Sequence, residues 1–140
     1  MKTLLCLLTL LSASFRLVPA HGDVVANVSI SSQTMTVTVD GTPLYEWPVS
    51  TARPGWETPT GYFRPVRLAR IWHSTLYHHA PMPYSVFFDG NFAIHGTNET
   101  RHLGRPASHG CVRLATGHAA ILFGLVRSYG FDQSQIIIED

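Results

Sequence analysis

The chain has 140 residues, 45% of them hydrophobic and 14% charged, with a formal charge of +1. That balance suits one globular domain. It excludes a disordered tail and the basic field that a nucleic-acid binder presents.

The first twenty residues read as a secretory signal. Met1-Lys2 is a short basic start, Leu4 to Leu11 is almost wholly apolar, and Val18-Pro19-Ala20 offers the small residues a signal peptidase reads. The apolar run is too short for a stable membrane span. Cys6 lacks the small-residue context of a lipoprotein site. The expected organisation is a signal over 1–20 and a single domain over 21–140. Cleavage would remove Cys6 and leave Cys111 as the single mature thiol. An unpaired cysteine in an oxidising compartment is a liability unless it works.

From Val24 to Ile30 apolar and polar residues alternate, and Met35, Val37 and Val39 alternate with threonines. Asp40-Gly41 marks a hairpin, and Leu44 to Val49 reads as a third strand with Pro48 at an edge or end. This opening predicts a β-meander. Thr58-Pro59-Thr60-Gly61 is a turn into a short strand at Tyr62-Phe63. Ile71 to Tyr84 has no clear period and reads as a long loop of functional interest. Strands follow at Ser85–Phe88 and Phe92–Ile94, around the Asp89-Gly90 turn signal. Residues 97 to 110 form a polar loop. Ile121, Leu122, Leu125, Val126 and Tyr129 share one helical face, with Thr116 placed to cap its start and Gly130 its end. Gln135 to Ile138 is a last strand. The fold class expected is mainly β, a sandwich-like sheet with one main helix.

The chemistry concentrates in Ser108-His109-Gly110-Cys111-Val112-Arg113-Leu114. A thiol needs a base to react at neutral pH, and an imidazole can take its proton and later return it to a leaving amine. Gly110 lets a substrate approach the backbone, and the N–H groups of residues 109 to 111 are candidate oxyanion donors. His95 and His109 are both candidates for the base. No acid adjoins either, Glu99 being nearest in sequence, so a backbone carbonyl is the expected orienter of the ring.

Ala93-Ile94-His95-Gly96-Thr97 resembles the histidine motif of the L,D-transpeptidase (YkuD-like) family. Leu103 through Leu114, with Ser108-His109-Gly110-Cys111, resembles its nucleophile motif. Val49-Ser50-Thr51 with Thr58-Pro59-Thr60-Gly61 resembles its central strand and turn, and Met82-Pro83-Tyr84 its lid. The resemblance implies an enzyme of bacterial cell-wall metabolism, exported to the periplasm or wall. Cys111 would attack the third residue of a peptidoglycan stem tetrapeptide, releasing D-Ala. An amine of a second stem, or of an outer-membrane protein, would accept the acyl group. It implies His95 as base with the Gly96 carbonyl steadying the ring, and Ser108 and His109 shaping the site. It further implies oxyanion donors near Gly110 and Cys111, Tyr84 closing over the substrate, and Arg113 bracing the loop or meeting a substrate carboxylate. It implies neither metal nor organic cofactor. No LysM-like module is present, so wall affinity is expected from the catalytic domain or a partner. The alternatives are a carboxypeptidase or amidase that passes the acyl group to water, and a non-catalytic wall-binding module.

Other histidines and arginines read as solvated surface. His78-His79 on an irregular loop is a poor zinc template, with His73 a further loop histidine. Arg64, Arg67 and Arg70 recur every three residues, but Pro65 argues against a helix there.

Overall fold

The computed structural model describes residues 23–140. The expected signal segment lies outside the described residues. Among the described residues nine strands form two sheets, with one long helix. The strands are β1 (Val24–Ser29), β2 (Thr34–Val39), β3 (Thr42–Pro48), β4 (Gly61–Phe63), β5 (Arg67–Ala69), β6 (Ser85–Asp89), β7 (Phe92–Thr97), β8 (Val112–Ala115) and β9 (Ser134–Glu139); the helix is α1 (Thr116–Tyr129). One sheet runs β3-β2-β1-β9-β4 and the other β5-β6-β7-β8.

The meander forms as its alternation predicts. Val24, Ala26 and Val28 of β1 and Met35, Val37 and Val39 of β2 are buried, while the residues between them are only partly so. Val39 pairs with Thr42 across Asp40 (φ +51°) and Gly41 (φ +80°). Two positive φ values in succession make the tight turn that matches strand twist, and Asp-Gly accepts them. β9 returns beside β1 in parallel, Val24 facing Ser134 and Ser29 facing Glu139. Ile136 and Ile138 thereby enter the same core.

The helix differs from its expected face. Ala119, Leu122, Phe123 and Val126 are its buried residues, at the i, i+3, i+4, i+7 spacing. Ile121 is 39% exposed, while Leu125 and Tyr129 are partly buried at the margin. The core takes the stripe that includes Ala119, because a small side chain lets the helix lie close to the sheets. Thr116 is the first helical residue rather than the cap. Ala115 holds the cap position without a side-chain bond. The Thr116 hydroxyl instead reaches Thr97 O and Asn98 Oδ1 at 3.3 Å each. Gly130 ends the helix at φ +86°, donating to Val126 O.

Two strands escaped the sequence pattern. In β5 Arg67 is not simply solvated: its guanidinium lies 4.3 Å from the Trp72 ring centroid and 3.9 Å from that of Phe87. Arg64 likewise donates to Asp132 O at 2.6 Å. β8 pairs with β7 in parallel. The long loop is an irregular hairpin: His73 bridges Pro81, Ser74 N–H donates to Ala80 O, and Met82 N–H donates to Trp72 O.

Candidate active site

The β7–β8 register determines which side chains meet. Ile94 faces Val112, His95 faces Arg113 and Gly96 faces Leu114. Ile94, Val112 and Leu114 point into the main core. Alternation then turns His95, Arg113 and Cys111 to the opposite face. There they line one cleft of about 1260 Å³, together with Ser108, His109, Asn91, Met82, Pro83 and Tyr77. Cys111 sits two residues before Arg113, the residue opposite His95. It packs against a small apolar cluster of Met82, Phe87 and Ala93.

His95 is 5% exposed, and its Nδ1 lies 2.8 Å from Gly96 O. A carbonyl only accepts, so Nδ1 carries the proton and Nε2 is the acceptor nitrogen. Gly96 is itself confined. Its N–H donates to Pro83 O at 2.8 Å, and a Cβ there would lie 2.9 Å from Thr116 Cα. Burial lowers the His95 pKa from 6.5 to about 4, opposed by the Gly96 bond and reinforced by the Arg113 charge. Burial also raises the Cys111 thiol above its ordinary value, against the Ala93 backbone bond and the Arg113 charge, which lower it. Burial thus favours the neutral thiol and the neutral imidazole on this cleft face. The sulfur lies 3.8 Å from Asn91 O.

The turn before the cysteine is held from below. Ser108 is 1% exposed; its hydroxyl accepts from Gly110 N–H at 3.0 Å and donates to Cys111 O at 2.6 Å. It lines the cleft, but its hydroxyl is spent on bracing the turn. Gly110 stands at φ +136°, and a Cβ there would meet Phe92 Cε1 at 2.5 Å and Glu57 O at 2.8 Å. Its N–H is engaged by Ser108, which leaves the neighbouring amides of the turn as oxyanion candidates. Thr58, absent from the sequence-derived candidates, donates its hydroxyl to Gly110 O at 2.8 Å and accepts from Ala52 N–H at 3.0 Å.

The cleft wall also departs from expectation. Tyr84 does not reach it. Tyr84 sits at φ +52°, and its ring packs edge-on against Phe123 of α1 at 5.7 Å, on the core side. Tyr77, on the hairpin, takes the wall position: its ring stacks on His109 at 4.1 Å and 8°. Trp56 meets the same imidazole edge-on at 4.7 Å. The Arg53 guanidinium bonds His109 Nε2. Since arginine only donates, that nitrogen is an acceptor and the ring is neutral. Desolvation, then the Arg53 and Arg113 charges, hold the His109 pKa below its ordinary value. With Nε2 occupied by Arg53, His109 serves the wall, and His95 is the ring whose acceptor nitrogen is uncommitted to a protein donor. Arg113 lines the cleft with Glu99, its Nη1 3.8 Å from Glu99 Oε2. Tyr77 and Trp56 carried no signal beyond being aromatic residues in Gly/Pro-rich segments. Among the described residues no group of three His, Cys, Asp or Glu is disposed to hold a metal ion, His73, His78 and His79 included.

The imidazole of His95, on β7, and the thiol of Cys111, just before β8, line one cleft face of a mixed two-sheet domain. The chain belongs to the L,D-transpeptidase catalytic domain family, YkuD, whose family model matches residues 23–138. Solved structures share the fold. An L,D-transpeptidase from Mycobacterium smegmatis aligns at TM-score 0.77 and 23% identity, covering 85% of this chain and 59% of that one. An L,D-transpeptidase from Mycobacterium tuberculosis H37Rv aligns at 0.77 and 23%, covering 85% and 58%. L,D-transpeptidase 3 from Mycobacterium tuberculosis, in complex with a faropenem-derived adduct, aligns at 0.74 and 22%, covering 85% and 61%. The chain thus spans less than two thirds of each of these longer proteins. No curated protein matches it. Among the described residues no helix is long and apolar enough to cross a membrane.

Proposed function

We propose that this chain is a cysteine L,D-transpeptidase acting on peptidoglycan stem peptides, exported to the periplasm or wall. The observation that carries the reading is the state of the His95 ring. Its Nδ1–H is spent on Gly96 O, so Nε2 is the proton acceptor on the cleft face that Cys111 lines.

In the proposed reaction Sγ attacks the carbonyl of the third stem residue while the thiol proton passes to Nε2. Amides of the turn at Cys111 meet the developing oxyanion. The C–N bond breaks, the imidazolium returns its proton to the departing D-Ala amine, and a thioester remains. An acceptor amine, on a second stem or on an outer-membrane protein, then attacks the thioester. It gives a proton to His95, and the sulfur leaves as thiolate to be reprotonated. Because the resting imidazole is neutral at pH 7 and the thiol pKa is raised, proton transfer accompanies attack rather than preceding it. Arg113, held near Glu99, is the cation available to a stem carboxylate. This chemistry uses no metal and no organic cofactor.

A β-lactam of the carbapenem or penem type resembles a reactive acyl donor, and a fold neighbour carries a faropenem-derived adduct. The test is intact-protein mass spectrometry after incubation with such a compound, with Cys111→Ala as control. A stoichiometric adduct on the wild type alone supports the proposal. A wild type that keeps a titratable thiol yet gains no mass refutes it. Incubation with tetrapeptide stems then separates amine from water as acceptor, through cross-linked dimers or freed tripeptide.

A further inference from the structure

We propose that Thr58 is the positioning residue of the oxyanion site, aiming the Cys111 N–H by holding the other end of the same peptide unit. The inference rests on the acyl-transfer function proposed above and deepens it.

The Gly110–Cys111 peptide is planar and trans, so its C=O and N–H point in opposite directions. Its oxygen is fixed: Thr58, 7% exposed, donates its hydroxyl to Gly110 O at 2.8 Å. The hydroxyl is held in turn by Ala52 N–H at 3.0 Å, which fixes its single proton on Gly110. Thr58 does not line the cleft, whereas Cys111 does. An oxygen drawn inward to Thr58 therefore turns the Cys111 N–H outward, toward the cleft.

That N–H is not consumed by the sheet. Arg113 uses both its N–H and its C=O on Ser50, at 2.9 and 3.0 Å. Cys111 lies just before β8, which begins at Val112, and among the described residues its N–H makes no backbone hydrogen bond. The amide on the other side, Gly110 N–H, is already bonded to Ser108 Oγ. The residue at 110 must also permit this peptide orientation. Gly110 has φ +136°, a conformation that side chains resist, and a Cβ there would strike Phe92 and Glu57 O. The glycine permits the turn, and Thr58 selects its peptide orientation.

The experiment compares two reagents on one thiol. Acylation by a penem passes through an oxyanion; alkylation by iodoacetamide does not. Thr58→Val keeps the shape and removes the hydroxyl; Thr58→Ser restores it. A lost oxyanion donor costs about 10²- to 10³-fold in rate, so Thr58→Val should slow acylation by at least about tenfold. Its alkylation should stay within about twofold of wild type, and Thr58→Ser should recover acylation. Equal loss in both reactions would mean that Thr58 merely supports the loop, and the proposal falls. Unchanged acylation in Thr58→Val overturns it as directly. A wild type that is alkylated but never acylated removes the function itself, and the role of Thr58 with it. Should Thr58→Val fail to fold, a crystal structure of the acylated wild type decides. The acyl oxygen about 3 Å from Cys111 N supports the assignment, and an oxygen bound elsewhere refutes it.

Discussion

Acid should unfold this domain in a way traceable to one buried ring. In the folded chain the His95 pKa is lowered from 6.5 to about 4. In the unfolded chain the ring takes its proton near 6.5. Between those values the unfolded state binds more protons, so stability rises with pH there and falls on acidification. At about 1.4 kcal/mol per pH unit, the loss between pH 6.5 and 4 is about 3 kcal/mol. Above pH 6.5 both states hold the ring neutral and the contribution is complete and constant. The comparison is His95→Asn, whose amide keeps a donor near Gly96 O but cannot titrate. Urea unfolding from pH 7.5 to 3.5 gives the stability of each. Carboxylates and the remaining histidines are common to both, so the difference in pH slope isolates His95. The wild type should lose about 3 kcal/mol more than the variant across that window. Parallel curves would refute the lowered pKa of this ring.

Gly110→Ala combines strained φ with contacts of 2.5 Å to Phe92 and 2.8 Å to Glu57 O; it should lower Tm by about 5–15 °C, measured by scanning calorimetry. Ser108→Ala leaves Gly110 N–H and Cys111 O without their partner; the expected loss in chemical denaturation is about 2–4 kcal/mol, with slower penem acylation. Tyr84→Phe removes only a hydroxyl from a ring packed on Phe123 outside the cleft. Its acylation rate should match wild type, and a large loss would return Tyr84 to the site. Alkylation of Cys111 by iodoacetamide should rise with pH through and above the ordinary thiol value of 9.0; a plateau beginning near pH 5 would reveal a preformed thiolate–imidazolium pair instead.

Local pattern carried the meander, the Asp40-Gly41 turn and the helix, because each needs only neighbours in sequence. It did not carry β5, three residues with an arginine at the start, whose cation is received by rings at positions 72 and 87. It did not reveal that the last strand pairs in parallel with the first, since no local feature records a partner over a hundred residues away. The site divides in the same way. Cys111, His95 and Gly110 sit in short motifs whose chemistry is visible in their residue types. Thr58 acts across 52 positions, so its hydroxyl looked like part of an ordinary turn. Two tyrosines, Tyr77 and Tyr84, flank the prolines of one irregular segment. Only the folded hairpin decides that the first faces His109 and the second faces Phe123.

The electrostatics of the cleft fit the reaction proposed above, in which thiol and imidazole ionise only with substrate present. Burial acts on both partners in the same sense, disfavouring thiolate and imidazolium alike. Arg113 lies close enough to influence both. It lowers the His95 pKa, which keeps the ring neutral, and it lowers the thiol pKa, which partly offsets burial. Its own guanidinium is partly answered by Glu99, 3.8 Å away. Neutralising Glu99 would leave that charge less screened and shift both pKa values further down. One exposed carboxylate therefore bears on His95 and Cys111 through a single arginine.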